Sequence, residues 1–505
     1  MTLADLIDRN AGFAPDKLAL RFAGEEITYR AFARRIEAAA AGLAQTLGIG
    51  CGDRIAHLGV NSADFLVLLF AAARLGATVV PMNWRLAPPE HAYILANAEP
   101  KVLLVEREFA ATLPVLQAAA PSCRIVGFDA ELAGLSFAGI VDAGRSQRAP
   151  RTGGVADPLL IVYTSGTTGR PKGAVLTQDA IRWNAVNATH MHGLMAADHV
   201  LTVLPMFHVG GLNIQTTPAL IAGATVTIHP RFAPGDTLAA IARERPTLVV
   251  LVPATLQAMM MHPDFARADL SSLRVITTGS TIVAESFVTA FATRGIRVIQ
   301  VYGSTETCPV VVYERFDCSR FKPDTTGVAG LINEAAVVDD KGRELAPGEA
   351  GEIVVRGANL FSGYWRDPVA TEAAFRDGWY LTGDIGTRDT DGHFAVRERK
   401  RNVIISGGEN IYPAEVERVI GTFPGVADCA VVARADEKWA EVPVAFVVPA
   451  PGAALDIGAL ERHVGASLAR FKQPRAYHLR DVLPKNALGK VQHFALKAEL
   501  AAAGQ

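Results

Sequence analysis

Cysteine is scarce. The five in 505 residues, Cys51, Cys123, Cys308, Cys318 and Cys429, form no CxxC pair and no metal-ligand spacing. That argues against a structural zinc and a disulfide framework and fits a reducing compartment. Net charge is almost absent: 49 Lys and Arg against 51 Asp and Glu leave −2, with both signs interspersed, so the basic surface of a dedicated nucleic-acid binder is missing. No apolar run is long enough to span a bilayer. The most apolar early stretch, "FLVLLFAAA" (65–73), ends at Arg74 and reads as a buried helix. The opening "MTLADLIDRN" carries acids and no apolar h-region, unlike a signal peptide. A cytoplasmic protein without integral membrane contact is expected.

Half the residues are apolar and a fifth are charged, as in a globular protein. The length exceeds what one core supports, so roughly two to four structural units are expected. Residues 28–48 read as an amphipathic helix stopped by glycine, and "SADFLVLLFAAARLGA" as a second helix. Between and after them, "DRIAHLGV", "TVVPMN" and "KVLLVE" are strand-like, and strand patterns recur near 199–206, 224–230, 246–253, 273–279 and 296–303. This alternation predicts an α/β architecture with largely parallel sheets. Beyond about 330, short strands broken by DG, KG and PG turns suggest a β-rich subdomain over about 325–399. The charged run "RERKRN" (397–402) reads as the domain junction, giving an N-terminal domain 1–399 and an α+β C-terminal domain 400–505.

One loop stands out. "YTSGTTGRPKG" (163–173) follows the apolar "LLIV" and packs four Ser/Thr hydroxyls, three glycines, an Arg and a Lys. Glycines admit a close ligand, and hydroxyls and cations bond phosphate oxygens. It departs from the GxxxxGK[ST] loop: Arg170 and Pro171 separate Lys172 from Gly169, and the following "GAVLTQ" reads as a strand. A strand–loop–strand would therefore hold phosphate without a helix dipole.

With "MFHVGG" (206–211), "VYGSTET" (301–307), "YLTGDIG" (380–386), "RERKRNVIISGGENIYPAEVE" (397–417) and "PKNALGKVQ" (484–492), this loop strongly resembles, in the same order, the signatures of the adenylate-forming superfamily, above all its acyl-CoA synthetase branch. The resemblance spans nearly the whole chain. It implies a large N-terminal domain of stacked mixed sheets with helices, carrying a small β-rich subdomain, and a small mobile α+β C-terminal domain. It also implies ATP, Mg²⁺ and coenzyme A as cofactors and co-substrates.

Residue by residue, the resemblance implies that Thr164, Ser165, Gly166, Thr167, Thr168 and Lys172 grip the β- and γ-phosphates. Gly279, Ser280 and Thr281 lie against the nucleotide; Ser280 and Thr281 depart from the family's usual residues there. Tyr302 stacks on adenine beside Gly303, Thr305 touches the α-phosphate, and Glu306 holds Mg²⁺. Asp384 accepts from the ribose hydroxyls and Arg399 reaches the ribose and phosphate region. Lys490 is the catalytic lysine of the adenylation step, bridging two anions that otherwise repel. His208, with a positioning or gating role, lines the acyl pocket together with Val209, Gly210, Val250, Thr278, Val301, Gly303 and Val310. Arg401 stands at the hinge, where relatives commonly have Asp or Lys. Gly407 and Gly408 leave room for the pantetheine arm, and Trp439, Phe471 and Lys472 lie near the CoA entrance.

The expected activity is an AMP-forming carboxylic acid–CoA ligase. The small apolar pocket residues, with no Arg or Lys among them, point to a medium-chain fatty acid or an aryl or arylpropenoic monocarboxylic acid. The alternatives are delivery of the acyl group to a carrier protein, or a dicarboxylate substrate such as malonate or succinylbenzoate. A monomer or homodimer is expected, and Lys490 is a candidate target for a protein acetyltransferase and deacetylase.

Overall fold

The computed structural model describes residues 1–503 apart from 165–170, 280–284, 319–321, 323–324, 407–408, 437–438 and 487–488. The chain forms two compact units, Met1–Ala335 with Val355–Tyr380, and Ala336–Val354 with Leu381–Gln505. The boundaries fall inside the strands Asn333–Val338, Gly351–Gly357 and Trp379–Arg388.

In the first unit one sheet runs, in spatial order, through Gly363–Tyr364, Lys172–Thr177, Pro158–Thr164, Thr78–Met82, Arg54–Leu58, Val102–Val105 and Arg124–Gly127. Its last five strands are parallel and its first two are antiparallel additions. A second sheet has a parallel core from Leu18–Phe22 through Thr225–Ile228, His199–Thr202, Leu248–Val250 and Val275–Gly279 to Arg297–Tyr302. Parallel strands need crossovers and covered faces, which the helices supply.

Local sequence explains those helices. Tyr29–Leu47 starts where the Thr28 hydroxyl accepts from the Ala31 N–H and stops at Gly48, whose φ of 62° is the left-handed conformation glycine tolerates best. Ala63–Leu75 is capped by Ser62 and is almost wholly buried. Its Arg74 is only 2% exposed and is paired with Asp8 at 2.7 Å and with Glu37. The apolar run seen in the sequence is thus a core helix ending in a paired cation, which a buried charge requires.

The second unit contains a sheet ordered Glu409–Ile411, Ile404–Ser406, Ala440–Pro449 and Val426–Asp436, with Tyr477–Leu479 parallel to Ala440–Pro449. Alternation along the two long strands fills both faces. Val431, Ala445 and Val447 pack with Val416, Ile420, Leu460 and Val464 of the helices Pro413–Gly421 and Ile457–Ser467. Ala430, Val432, Val444 and Phe446 pack with Leu496 of His493–Ala503. Segment 381–399 belongs to this unit, as does Arg401 within the turn Lys400–Asn402. No helix among the described residues is long and apolar enough to cross a membrane.

Candidate active site

In the first unit, Pro158–Thr164 and Lys172–Thr177 form the strand–loop–strand, with Thr164 opposite Lys172 and Tyr163 opposite Gly173. Gly173 has no room for a side chain: a Cβ would lie 2.6 Å from Ile161 Cγ2 and 3.1 Å from the Tyr163 ring. Lys172 Nζ sits 5.2 Å from the centre of the Tyr364 ring and 4.0 Å from Asp367. The expected phosphate ligands Ser165, Gly166, Thr167 and Thr168 lie outside the described residues, as do Ser280 and Thr281.

The parallel strands Val275–Gly279 and Arg297–Tyr302 end side by side, with Gly279 opposite Val301. Carboxyl ends of parallel strands are where open α/β sheets bind ligands. From Tyr302 the chain turns through Gly303 and Ser304 into the short turn Thr305–Thr307, which buries Thr305 and Glu306. Gly303 is fixed by space, because a Cβ there would stand 1.7 Å from the Pro309 carbonyl oxygen. Glu306 Oε1 accepts from the Tyr364 hydroxyl at 2.9 Å, and the Glu306 carbonyl accepts from the Phe361 N–H at 2.7 Å. Burial, with the nearby Glu306 carboxylate, pushes the Tyr380 phenol well above its ordinary range, so it stays protonated beside this turn.

Three buried asparagines that the sequence reading passed over hold the far side of the loop. Asn184 Oδ1 accepts from the Val310 N–H at 2.9 Å, and Asn187 Nδ2 donates to the Val310 carbonyl at 2.8 Å. Asn359 Nδ2 donates to the carbonyls of Thr307 at 2.8 Å and Val310 at 3.0 Å. The available signal was "NAVN" (184–187), polar residues at i and i+3 on one helix face.

His208 caps the helix Val209–Asn213, its Nδ1 accepting from the Gly210 N–H at 3.0 Å. Burial lowers its pKa to about 4, so the ring is neutral at physiological pH. An accepting Nδ1 then leaves the proton on Nε2, a donor suited to a carboxylate or acyl oxygen. His208→Gln is therefore expected to lower kcat/KM without changing the shape of the pH–rate profile between pH 6 and 9. An inflection near pH 6.5 that vanishes in the variant would contradict this. Of the other residues expected at the acyl pocket, Val209, Thr278 and Val310 are fully buried and Val250 and Val301 nearly so, and Val250 borders a small cavity with Leu204, Gly211, Gln215 and Thr216.

In the second unit, Asp384 and Arg399 face each other across a strand pair, with Arg399 Nε 2.8 Å from Asp384 Oδ1. The carboxylate is buried, its acceptor oxygens aligned by the guanidinium. Lys490 closes a turn in which Asn486 receives the Lys490 N–H at 2.9 Å through its side chain and donates its own N–H to the Lys490 carbonyl at 2.8 Å. Gly489, at φ 78°, allows that turn. Trp439 and Phe471 are exposed aromatics, while the Lys472 ammonium bonds both Glu415 oxygens at 2.8 Å. Gly407 and Gly408 lie outside the described residues. The charged run is tied down: Glu398 accepts from Asn402 at 3.1 Å and from the Ala414 N–H at 3.0 Å. Lys400 pairs with Asp340 and Glu352, which raise its pKa.

A strand–loop–strand hairpin, a buried turn at a strand end and a lysine-bearing loop follow one another in the chain order of the adenylate-forming signatures. The family model "AMP-binding enzyme" matches residues 7–365 and "AMP-binding enzyme C-terminal domain" matches 415–490, and the chain belongs to this family. It is 47% identical to an indoleacetate–CoA ligase of Aromatoleum aromaticum, covering 97% of each chain. It is 40% identical to a feruloyl-CoA synthase of an Amycolatopsis species, covering 96% of each. Among solved structures, an anthranilate CoA ligase in complex with anthranoyl-AMP superimposes with a TM-score of 0.92 at 27% identity, over 100% of this chain and 98% of the other. With these relatives the chain is an AMP-forming acid–CoA ligase, with ATP and CoA as its co-substrates.

Proposed function

We propose that this ligase activates an aromatic monocarboxylic acid of the arylacetic or arylpropenoic type, in the cytoplasm, as a monomer or homodimer. The observation that supports the reading is the character of the residues expected at the acyl pocket: Val209, Val250, Thr278, Val301 and Val310 are buried and apolar or neutral, and His208 is neutral. A second carboxylate would lie there unpaired, at a cost of several kcal/mol. The named relatives act on indoleacetate and on the ferulate class, which supports the same choice.

In the first half-reaction a carboxylate oxygen attacks the α-phosphorus and the bond to the bridging oxygen of pyrophosphate breaks. Lys490 offsets the repulsion between the two anions, Thr305 contacts the α-phosphate, Lys172 holds the departing phosphates and Asp384 with Arg399 fixes the ribose. Among the described residues no cluster of three His, Cys, Asp or Glu could hold a metal ion. Glu306 fits Mg²⁺, which takes one or two carboxylates with substrate phosphates and water; when bound, that ion would neutralise polyphosphate charge. In the second half-reaction the small domain rotates about Arg401. Trp439, Phe471 and Lys472 then receive the CoA. The CoA thiolate attacks the acyl carbon and AMP leaves.

The test is an acid panel with coupled AMP detection. Indoleacetate, ferulate and coumarate are expected to exceed malonate in kcat/KM by about a hundredfold or more, from the cost of one unpaired charge, with octanoate between them. Preferred turnover of malonate would overturn the reading, and AMP release only with a carrier protein would overturn the CoA step.

A further inference from the structure

The segment "FSGYW" (361–365) belongs to none of the recognised signatures, yet it touches both nucleotide-binding loops of the first unit. Toward the hairpin, Gly363 and Tyr364 pair with Val175 and Ala174, and the Trp365 N–H donates to the Gly173 carbonyl at 2.7 Å. Toward the nucleotide turn, the Phe361 N–H donates to the Glu306 carbonyl at 2.7 Å. The Tyr364 side chain does the same with its two ends: its hydroxyl donates to Glu306 Oε1 at 2.9 Å, and its ring face lies 5.2 Å from Lys172 Nζ. Its own backbone is held by the Thr371 hydroxyl at 2.8 Å. The ring packs edge-on against Phe361, with centroids 4.9 Å apart, and Phe361 stacks on Phe375.

This arrangement separates two opposite charges. Glu306 and Lys172 meet one phenol instead of each other: it offers an O–H to the anion and a π face to the cation, whose nearest carboxylate is Asp367 at 4.0 Å. A direct pair would cancel the charges that a divalent cation and polyphosphate each need. The hydroxyl also commits one carboxylate oxygen and leaves Oε2 without a hydrogen-bond partner among the described residues.

We propose that Tyr364 is a positioning residue that keeps Glu306 and Lys172 apart, presenting the carboxylate to the nucleotide's divalent cation and the ammonium to its phosphates. This rests on the reading of Glu306 as the metal-binding carboxylate. The test is Mn²⁺·ATP binding by water-proton relaxation enhancement and metal-free ATP binding by calorimetry. Both are measured on wild type, Tyr364→Phe, Tyr364→Leu, Glu306→Gln and the Tyr364→Phe/Glu306→Gln double variant. Loss of one hydrogen bond to a charged group is expected to weaken Mn²⁺·ATP binding of Tyr364→Phe about tenfold and to leave metal-free ATP binding unchanged. Tyr364→Leu, which also loses the ring face, weakens metal-free ATP several-fold. In the Glu306→Gln background the Phe substitution costs nothing further. Tyr364→Phe binding Mn²⁺·ATP like wild type, while Glu306→Gln does not, overturns the role of Tyr364 alone. So does equal weakening with and without metal. Glu306→Gln binding Mn²⁺·ATP like wild type overturns the reading of Glu306 instead.

Discussion

Lys490→Ala is expected to abolish adenylation: pyrophosphate release from acid and MgATP falls about 10²–10³-fold or more, the scale of removing one preorganised charge-stabilising group. AMP release from supplied acyl-adenylate and CoA stays within a few-fold of wild type. The split follows from electrostatics. Carboxylate and α-phosphate are both anions on approach, and negative charge accumulates on the phosphoryl oxygens in the transition state. Thioester formation instead pits a thiolate against an activated mixed anhydride and has no such requirement. The Lys490 N–H and carbonyl, which bond Asn486, are kept by the substitution. Lys490→Gln, which removes the charge as acetylation would, should behave alike. Equal loss of both half-reactions would mean that the variant damages the fold and not the chemistry.

Gly303→Ala should come second in effect. The added methyl would meet the Pro309 carbonyl oxygen at 1.7 Å, the Pro309 carbonyl carbon at 2.6 Å and Thr307 Oγ1 at 2.8 Å. A flexible side chain could yield, but the opposing wall is backbone, and the next residue, Val310, is pinned at both its N–H and its carbonyl by Asn184, Asn187 and Asn359. Strain of about 1–3 kcal/mol or more follows, and the turn bearing Thr305 and Glu306 must shift. A displacement of about 1 Å at reacting groups costs on the order of a hundredfold in rate. The thermal midpoint of the variant should therefore drop together with pyrophosphate release, and wild-type nucleotide affinity in the Ala variant would refute the steric account.

What the sequence made visible, and what it hid, divides along the reach of each interaction. Residues 28–48 and 62–75 were legible because capping groups and apolar spacing are local, and the hairpin 158–177 because a loop of special composition lies between two short strands. The helix Gln178–His192 was not read. Its buried face carries Gln178, Asn184, Asn187 and His192, so the expected apolar stripe is interrupted by polar groups, two of which, Asn184 and Asn187, anchor Val310. The strand Gly363–Tyr364 has two residues and no period to detect, and Tyr364 meets Glu306 58 positions away. The contact grouping of 336–354 with 381–505 likewise depends on pairings such as Thr382 with the Ile353 carbonyl, 29 positions apart, which no window of sequence encodes.

The position of Gly363–Tyr364 at the end of its sheet also orders events during synthesis. The strands Pro158–Thr164 and Lys172–Thr177 can pair as soon as they leave the ribosome, since only a short loop separates them. The outer edge of Lys172–Thr177 then waits for a partner that lies 187 positions later, the separation between Val175 and Ser362. Throughout that interval a nascent chain carries a strand with unpaired main-chain groups, the kind of edge that recruits foreign strands. The same two residues that would complete the nucleotide site are the ones that end this exposure, so competence to bind ATP and protection from aggregation arrive together, late in translation.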